Sequence, residues 1–362
     1  MRPYIPTKLP LKKLDWAAFV GLVGKANAEV ARFDGLLQSM PNPGVLLSPL
    51  STQEAVLSSK IEGTQATLQD VLEFEANPKD ITRKHEDIQE VLNYRKAMAF
   101  AVKELGKYPL TLNVIKEIHS KLMQSVRGKN KNPGNFRTEQ NWIGKPGCKQ
   151  EEASYIPPSP ETIKEFLSNL EKYINFDDKD YLVQLAIIHA QFEIIHPFLD
   201  GNGRIGRMLM PLFLYYKKVL SSPMFYLSAY FETDRERYYS SLKSISKEEN
   251  WNSWVEYFLN AVVEQSKKNI QKAKKIHALY DQKKLRISQI THSRYSIQTL
   301  DFLFCMPIFK SREFKIEAKI PEATSKRVVD LLLRNEVISL IKKGQGRAGN
   351  IYAFEKLLNI VR

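Results

Sequence analysis

The sequence predicts a mostly α-helical fold, and three observations support this prediction. Apolar residues recur at helical spacing through long segments such as 85–105 and 111–124. Residues 181–195 are apolar on almost every side, which is typical of a helix buried in a protein core. Strand-like alternation is confined to a Gly- and Pro-rich stretch at 128–160 and to residues 337–354. We therefore expect a helical bundle with a small β-hairpin and, near the C terminus, a two-stranded wing.

The composition is that of a soluble globular protein. The chain has 362 residues, of which 43% are hydrophobic and 26% charged, and this length is sufficient for two or three domains. The opening residues, MRPYIPTKLP, contain no apolar core of signal-peptide length, and no run of roughly 18 or more apolar residues occurs. Cys148 and Cys305 are too few for a disulfide framework or a zinc site. We therefore expect a cytoplasmic protein that does not enter a membrane.

The N-terminal region, residues 1–110, is expected to contain an amphipathic helix, the breaker PNPG and then a second helix. Ser51 is followed three residues later by Glu54, the pattern of a capping box, which predicts that the second helix spans about 51–63. Gly63 has the backbone freedom that is needed where a helix stops.

Residues 194–209, IIHPFLDGNGRIGRML, concentrate polar and charged side chains directly after the buried helix. Pro197 ends that helix, because the residue before a proline avoids helical backbone angles. Gly201 and Gly203 free the next turn, and the apolar spacing from Arg204 onwards predicts a second helix. The backbone N–H groups of a Gly-rich turn that opens a helix form an anion site.

The charges of this segment indicate the kind of anion. Arg204 and Arg207 share a face in the first helical turn, where the helix dipole disfavours each by a few tenths to about 1 kcal/mol. That placement becomes favourable when a polyanion binds. Asp200 suits a Mg²⁺ ion held by carboxylate and substrate phosphates, and His196 is a base with an ordinary pKa near neutrality. These residues together predict phosphate chemistry on a nucleotide, and the absence of GxxxxGK[ST] disfavours a P-loop enzyme.

The segment HPFLDGNGRIGR resembles the signature of the Fic family, His-Pro-Phe-x-Asp/Glu-Gly-Asn-Gly-Arg-x-x-Arg, and agrees with every fixed position from His196 to Arg207. The resemblance implies a helical catalytic core that transfers AMP from ATP to a Ser, Thr or Tyr hydroxyl of a target protein, and to the enzyme itself. By that resemblance His196 would deprotonate the hydroxyl and Asp200 would hold Mg²⁺. The residues implied to contact the phosphates are Gly201, Asn202, Gly203, Arg204 and Arg207.

The segment SSKIEG resembles the inhibitory motif of Fic proteins, Ser/Thr-x-x-x-Glu-Gly/Asn, with Ser58, Glu62 and Gly63 at the fixed positions. Ser58 and Glu62 stand four residues apart, hence on one helix face. The resemblance implies that Glu62 pairs with Arg207 and keeps the γ-phosphate from its productive place, so that the enzyme is autoinhibited. The family also leaves open that Glu62 orients a water molecule for the removal of AMP. Without the signature, a surface glutamate near a helix end would be the simpler interpretation.

Two further parts of the site are predicted, each beside a simpler alternative. Residues 128–160 predict an irregular hairpin, which the resemblance identifies as a flap that docks the target through Trp142, Ile143 and Tyr155. An ordinary surface hairpin is the alternative. The residues outside the signature that we expect to contact the nucleotide are Gln191, Thr233, Tyr238 and Tyr239. Tyrosines at helical spacing are otherwise typical of a core.

The formal net charge of +14 is concentrated near the C terminus. Residues 267–362 have 21 Lys and Arg against 8 Asp and Glu, whereas the rest of the chain is close to neutral. Residues 266–295 are expected to form a basic helical connector. Residues 296–362 predict three helices and a two-stranded wing, the order of a winged helix, and resemble the winged-helix domain often appended to this class of Fic protein.

The winged helix has two equal interpretations, namely DNA binding and a docking or dimerisation module whose lysines are merely solvated. Its predicted elements are helices at Ile297–Phe304, Ser311–Ile320 and Thr324–Asn335 and strands at Val337–Ile341 and Asn350–Phe354. The side chains predicted to face DNA are Ser325, Lys326, Arg327, Arg334, Lys342, Lys343 and Arg347.

Other functions compete with protein adenylylation. The signature residues are implied to contact the phosphates and not the nucleobase, so a Fic enzyme that transfers UMP, phosphocholine or phosphate is one alternative. A DNA-binding regulator or docking protein with a dormant Fic domain is another, although the intact signature argues against it. The expected organisation is an N-terminal helical region (1–110), the Fic core (111–265), the connector (266–295) and the winged helix (296–362). A homodimer is left open, and the sequence does not identify the target.

Overall fold

The computed structural model describes residues 2–78, 83–124, 127, 130–145, 147–344 and 349–362. Within these residues the chain is mostly helical, which confirms the predicted fold class. None of the helices that are described is both long and apolar enough to cross a membrane. The elements in chain order are α1 (Trp16–Ser39), α2 (Pro43–Leu46), α3 (Ser48–Ile61), α4 (Leu68–Ala76), α5 (His85–Leu105), α6 (Leu112–Leu122), a 3₁₀ helix (Gln150–Glu152), α7 (Pro160–Asn175), α8 (Tyr181–Ile195), α9 (Asn202–Tyr216), α10 (Ser228–Thr233), α11 (Arg235–Glu248), α12 (Trp251–Thr291), α13 (Ser296–Cys305), β1 (Ile308–Lys310), α14 (Ser311–Glu317), α15 (Glu322–Arg334), β2 (Ser339–Lys342), β3 (Ile351–Ala353) and α16 (Glu355–Val361).

The centre of the bundle is α8, which packs against α1, α7, α9, α11 and α12. Asp180 caps its first turn by accepting hydrogen bonds from the backbone N–H groups of Leu182 and Val183. Apart from Tyr181 and Glu193, every residue of α8 is buried. Because neighbouring helices cover all of its sides, the helix needs apolar residues all round.

Helix α3 begins three residues earlier than predicted. Its first residue is Ser48, and Pro49 stands in the first turn, where its missing N–H would have no helical partner. Ser51 therefore lies inside the helix. Glu54 is buried and accepts hydrogen bonds from the hydroxyl (2.5 Å) and the backbone N–H (3.3 Å) of Ser228 on α10. The predicted capping box is thus wrong, because a tertiary contact uses the glutamate.

The predicted hairpin at 128–160 contains little regular strand. Among its described residues the two arms pair through one antiparallel bridge between Ile143 and Tyr155, and the 3₁₀ helix lies between these residues in the chain. Gly and Pro residues in both arms limit further ladder hydrogen bonds. The segment is nevertheless ordered by hydrogen bonds to the bundle, which are described with the site.

One 41-residue helix, α12, runs from the bundle into the C-terminal region. It includes most of the predicted connector 266–295, which is therefore not a separate element. Helices α13, α14 and α15 and strands β2 and β3 lie where the sequence predicts elements, whereas β1 and α16 were not predicted. The strands form an antiparallel sheet in the order β1-β3-β2. This arrangement is compatible with a winged helix, which stays a prediction.

The side chains predicted to face DNA differ in their exposure. Ser325 is buried and is therefore unavailable, which corrects that prediction. Lys326, Arg327 and Arg334 are exposed on α15. Arg347 lies outside the described residues.

Candidate active site

The loop between α8 and α9 presents His196 from a sharply turned backbone. His196 caps α8 with left-handed backbone angles (φ 49°, ψ 60°), which are uncommon for a residue other than glycine. Gly201 is also left-handed (φ 78°) and caps the start of α9. The buried side-chain amide of Asn202 donates to the carbonyl of Phe198 (2.8 Å), and its oxygen accepts from the Phe198 N–H (2.8 Å). This side chain holds the loop, so the predicted phosphate contact of Asn202 is restricted to its backbone N–H.

Arg137, which no sequence pattern singled out, joins this loop to the flap. Its guanidinium donates to the backbone carbonyls of His196 (2.9 Å), Glu139 (3.1 Å) and Pro158 (2.5 Å). The carbonyl of His196 belongs to the C-terminal end of α8, where the helix dipole favours a cation. Burial lowers the pKa of Arg137 to about 10, which still leaves it charged at neutral pH. Arg137 therefore positions the backbone of the candidate base.

His119 supports the loop from its other side. Its ring stacks on Phe198 with the ring centroids 3.7 Å apart. Its Nδ1 accepts from the N–H of Gly134 (2.9 Å), so Nε2 bears the proton and donates it to the carbonyl of Asp200 (3.0 Å). Burial lowers the pKa of His119 to about 4, so the ring is neutral at neutral pH. This histidine positions the backbone of the candidate metal ligand.

His196 is a neutral base at neutral pH. Burial lowers its pKa to about 4, although Glu62 and Asp200 act in the opposite direction. Its Nδ1 lies 3.3 Å from the carbonyl of Glu193, which places the proton on Nδ1 and leaves Nε2 as the basic nitrogen.

Arg207 is paired with Glu62. Arg207 is only 1% exposed. Its Nη2 donates hydrogen bonds to Glu62 Oε1 (2.5 Å) and to the carbonyl of Ser58 (2.9 Å). Its Nε donates to Ser58 Oγ (3.0 Å). Gly63, which follows the end of α3, has a positive φ of 103°, a backbone conformation that favours glycine. A Cβ on Gly203 would collide with the Glu62 carboxylate. Burial alone would raise the pKa of Glu62, but Arg207 holds it below its usual value, so the pair is ionised.

Arg204 has a different set of partners. Its Nη1 donates to Glu90 on α5 (2.9 Å), and its Nη2 lies 3.4 Å from Asp200 Oδ1. Arg204 is buried, and two carboxylates already compensate its charge. These contacts order the loop, and the contact of Arg204 with the outer phosphates stays a prediction. The role of Glu90, more than a hundred residues away along the chain, was not predicted.

Asp200 is the exposed carboxylate of the loop. Its side chain is 44% exposed, and Oδ1 accepts from the N–H of Gly201 (2.5 Å). No group of three or more His, Cys, Asp or Glu side chains that would hold a metal by themselves occurs in the described part of the chain. One exposed carboxylate beside this Gly-rich loop suits Mg²⁺, which binds one or two carboxylates and completes its shell with water and substrate phosphates.

A cavity of about 720 Å³ opens in front of His196. This volume lies within the range of roughly 300–1,000 Å³ that is usual for small-molecule sites. The residues that form its wall and bear on function are His196, Gly203, Arg207 and Glu62 around the loop, Tyr239, Leu242, Lys243 and Ser246 on α11, and Trp142, Ile143 and Tyr155 on the flap. The α11 residues follow Tyr239 at spacings of three, four and seven, so they lie on one face of the helix. The same spacing is usual for residues that face a core.

Two of the predicted nucleotide contacts lie outside the cavity. Gln191 is buried, and its amide donates to the backbone carbonyl of Thr7 (2.9 Å). Thr233 is exposed at the end of α10, where its hydroxyl donates to the carbonyl of Ala229 (2.8 Å). Both predictions are wrong, because neither residue lines the cavity and the donor of each side chain is bonded to a backbone carbonyl.

The two predicted tyrosines differ from one another. Tyr238 is buried, and its hydroxyl is hydrogen-bonded to Nε2 of His189 (2.8 Å), so it belongs to the core and not to the nucleotide pocket. Tyr239 is 46% exposed and lines the cavity. Adjacent helical residues point in directions about 100° apart, which separates a core tyrosine from a pocket tyrosine.

The three predicted flap residues lie at the cavity. The hydroxyl of Tyr155 donates to the carbonyl of Ile194 on α8 (2.8 Å), which anchors the flap. The indole of Trp142 donates to the carbonyl of Cys148 (3.0 Å). Trp142 and Ile143 expose 40% and 38% of their surface. Target docking through these side chains stays a prediction.

Comparisons with known proteins agree with this geometry. Residues 20–103 match the family model described as Fic/DOC family N-terminal, and residues 109–214 match that of the Fic/DOC family. The protein adenylyltransferase Fic of Drosophila erecta is 30% identical over 128 residues, which are 33% of this chain and 23% of that protein. The Drosophila melanogaster protein is 29% identical over 128 residues with the same coverage. The chain spans about a quarter of the length of these relatives.

Solved structures extend the likeness beyond the matched segments. A Fic family protein from Desulfovibrio desulfuricans G20 has a TM-score of 0.59 at 18% identity and covers 98% of both chains. Fic-1 from C. elegans (residues 134–508) has a TM-score of 0.54 at 20% identity, covering 70% of this chain and 72% of that one. These identities establish the fold alone. Because the two family matches together span more than half of the sequence and include the loop that holds His196, the chain belongs to the Fic/DOC family.

Proposed function

We propose that this protein is a protein adenylyltransferase, which transfers AMP from ATP to a Ser, Thr or Tyr hydroxyl of a target protein. The observation that supports this most directly is a neutral base, His196, beside a buried guanidinium, Arg207, in the wall of one cavity of nucleotide size. A base and a fixed cation at a Gly-rich helix start suit the transfer of a phosphate-linked group. The relatives named protein adenylyltransferase Fic support the same reaction.

The reaction depends mainly on positioning and on charge neutralisation. The oxygen of the target hydroxyl attacks the α-phosphorus, and the hydroxyl proton passes to Nε2 of His196. A new O–P bond forms while the bond from the α-phosphorus to the bridging oxygen breaks, so pyrophosphate leaves. Backbone N–H groups of Asn202 and Gly203 would orient the phosphates, and Arg207 would neutralise the leaving group. Mg²⁺ held by Asp200 would add neutralising charge when it is bound with the nucleotide.

The nucleotide base would lie against α11. Tyr239 offers an exposed aromatic face, and aromatic side chains stack well on bases. Leu242 and Ser246 lie one and two turns further on the same face and line the cavity. This row replaces the pocket that the sequence predicts from Thr233 and Tyr238.

Autoinhibition by Glu62 is part of the same proposal. The Glu62 carboxylate accepts a charge-assisted hydrogen bond from Arg207, so the outer phosphates of ATP would have to displace this carboxylate in order to bind Arg207. Ser58 holds the guanidinium from the body of α3. Release of Glu62 would therefore leave Arg207 oriented for phosphate.

Intact-mass spectrometry tests the proposed reaction. The purified Glu62→Gly variant would be incubated in separate reactions with ATP, GTP, UTP, CTP or CDP-choline, each in the presence of Mg²⁺. The modified residue would then be located by mass spectrometry of peptides. We expect addition of AMP from ATP. Addition of UMP, phosphocholine or a bare phosphate would assign another Fic chemistry, and no addition to the chain or to proteins of a lysate would contradict the proposal.

The lowered pKa of His196 predicts a rate that resists acid. A folded-state pKa of about 4 keeps the ring in its basic form as the pH falls to 5.5. An ordinary pKa of about 6.5 would leave only about a tenth of the ring basic at that pH. We expect the single-turnover rate of self-modification by Glu62→Gly at saturating ATP to fall less than about twofold from pH 7.5 to 5.5. A tenfold fall would contradict this account of the base.

For residues 296–362 we propose DNA binding, supported by their basic charge and by exposed Lys326, Arg327 and Arg334 on α15. A gel shift with duplex DNA should show a complex at about 50 mM salt that weakens steeply by about 200 mM, as phosphate contacts require. Replacement of Lys326 and Arg327 by alanine should weaken it further. The matched control is Lys8→Ala with Lys13→Ala, which removes two charges near the N terminus. No complex at low salt, or equal weakening by both pairs, would favour protein docking.

A further inference from the structure

The proposed reaction leaves one carboxyl of the cavity unexplained. Glu193 lies on α8 one turn before His196 and is the one charged residue between positions 181 and 195. Its side chain is half-buried and lines the same cavity as His196 and Arg207. Its Oε1 is enclosed and has no hydrogen-bond partner among the residues that the structure describes. Other buried side-chain atoms of the described residues also lack a partner, but Glu193 is the one such residue in the wall of this cavity. Because no donor reaches this enclosed oxygen, the ionised form of the carboxyl is disfavoured there.

The backbone of Glu193 is held in the cavity wall by the packing of α8. Its carboxyl lies against Gly206 of α9, where a Cβ would meet Glu193 Oε1 at 2.2 Å. Neighbouring helices pack on α8 from all sides. Glu62, by contrast, follows the last residue of α3 and precedes a glycine, so the backbone there can move it away from Arg207. A nucleotide at Arg207 would therefore displace Glu62 and leave Glu193 in the cavity wall.

Burial raises the pKa of Glu193 to about 8, against the attraction of Arg207. The charged and titratable groups that face it are Arg207 from α9, Glu62 from the end of α3, Tyr238 and Tyr239 from α11, and His189 and His196 from α8. The negative charge of Glu62 also raises the pKa of Glu193. Burial raises the pKa of both tyrosines and lowers the pKa of both histidines, so all four are neutral at pH 7. Arg207 and Glu62 are thus the charges that Glu193 meets, and Glu193 itself is mostly protonated.

The ligand must tolerate this carboxyl. ATP in the cavity would bring anionic oxygens to Arg207, and an ionised Glu193 carboxylate beside them would repel them. A protonated carboxyl removes the repulsion and offers an O–H donor. Building on the proposed adenylyltransferase function, we propose that Glu193 binds the polyphosphate of the nucleotide as a neutral carboxylic acid, and donates its proton in a hydrogen bond to a phosphate oxygen beside Arg207.

The two carboxyls near Arg207 thereby have opposite roles. Glu62 is ionised and competes with the phosphates, whereas Glu193 is protonated and binds with them. Nucleotide binding therefore requires a proton on Glu193, and ATP affinity should fall by about tenfold for each pH unit above the pKa of this group. Removal of Glu62 removes one group that raises this pKa, so the fall begins at or below pH 8 in the Glu62→Gly variant.

Isothermal titration calorimetry of the full chain with ATP and Mg²⁺ tests this proposal. Glu62→Gly would be compared with Glu62→Gly/Glu193→Gln at pH 6.5 and 9, in two buffers of different ionisation enthalpy. Glutamine has the size of glutamate and donates a hydrogen bond but does not titrate. We expect Glu62→Gly to bind ATP at least about tenfold more weakly at pH 9 and to take up about one proton. The double variant should change less than about threefold and take up none.

A merely structural Glu193 would give both proteins the same pH profile and proton count, and that result would overturn the proposal while leaving the adenylyltransferase function in place. Failure of both proteins to bind ATP at pH 6.5 would overturn the function as well. Glu62→Gly/Glu193→Leu, which lacks the donor, should bind ATP several-fold more weakly at pH 6.5 than the glutamine variant. Equal affinity of a folded leucine variant would also overturn the proposed hydrogen bond.

Discussion

Replacement of His196 by alanine is expected to lower AMP transfer by about 10²–10⁴-fold, which is the usual contribution of a general base. ATP affinity should remain within about twofold, because Arg207 and the loop N–H groups are unchanged. The loop itself should persist, since Arg137 bonds to the backbone carbonyl of residue 196 and not to the ring. Transfer is read from labelled AMP on the protein, and affinity from equilibrium binding.

Two controls make the histidine result specific. Residue 196 has left-handed backbone angles, which strain alanine by about 1 kcal/mol but suit asparagine better, so His196→Asn should lose transfer equally with less effect on stability. His277→Ala, which removes a histidine from the middle of α12, should transfer at the parental rate. Loss of ATP binding with transfer retained would refute the assignment of His196 as the base.

Replacement of Glu62 by glycine is expected to raise AMP transfer by roughly 10- to 100-fold. The wild-type carboxylate forms a charge-assisted hydrogen bond with a fully buried guanidinium, and such bonds contribute about 1.5–3 kcal/mol. Without Glu62 the outer phosphates meet no competitor at Arg207. The measurement is the initial rate of self-modification at a fixed ATP concentration, with the unfolding temperature of each variant as a stability control.

A graded series strengthens this test. Glu62→Gln keeps a hydrogen-bond acceptor for Arg207 but loses the charge, so its rate should lie between those of the wild type and Glu62→Gly. Glu73→Gly, a change to another glutamate on the neighbouring helix α4, should leave the rate unchanged. Equal rates for the wild type and Glu62→Gly would show that the Glu62–Arg207 pair does not restrain the enzyme.

The sequence predicted those parts of the fold whose causes are local. Pro197 and the paired glycines fix the break between α8 and α9, and the all-round apolar pattern of 181–195 identified the central helix. The start of α3 could not be predicted in this way. Glu54 suits a capping box by its spacing, but its partner is Ser228 on a helix that is distant in the chain. A tertiary hydrogen bond therefore overrode a local rule.

The residues of the candidate site likewise divide into those that are close together in the chain and those that only tertiary packing brings together. The signature located His196, Asp200 and Arg207 because they lie together in the chain. Arg137 and Glu90 reach the site only through folding, and no local pattern marks them. The helical spacing of α11 does not by itself distinguish a pocket face from a core face, and of that row only Tyr239 was predicted. Glu193 did have a signal, since a single charge in an otherwise uncharged buried helix requires a partner or a function. Gln191 was selected on a weaker signal, and its partner proved to be the N-terminal segment.

In the proposed reaction the cavity activates the α-phosphorus of ATP for attack by a hydroxyl. This reaction can be tested by incubating Glu62→Gly with ATP labelled on either the α- or the γ-phosphate and measuring the label that remains covalently bound after denaturation. We predict incorporation from α-labelled ATP, none from γ-labelled ATP, and loss of the α-label in Glu62→Gly/His196→Asn. Incorporation of the γ-label, or α-label that persists without His196, would contradict the account.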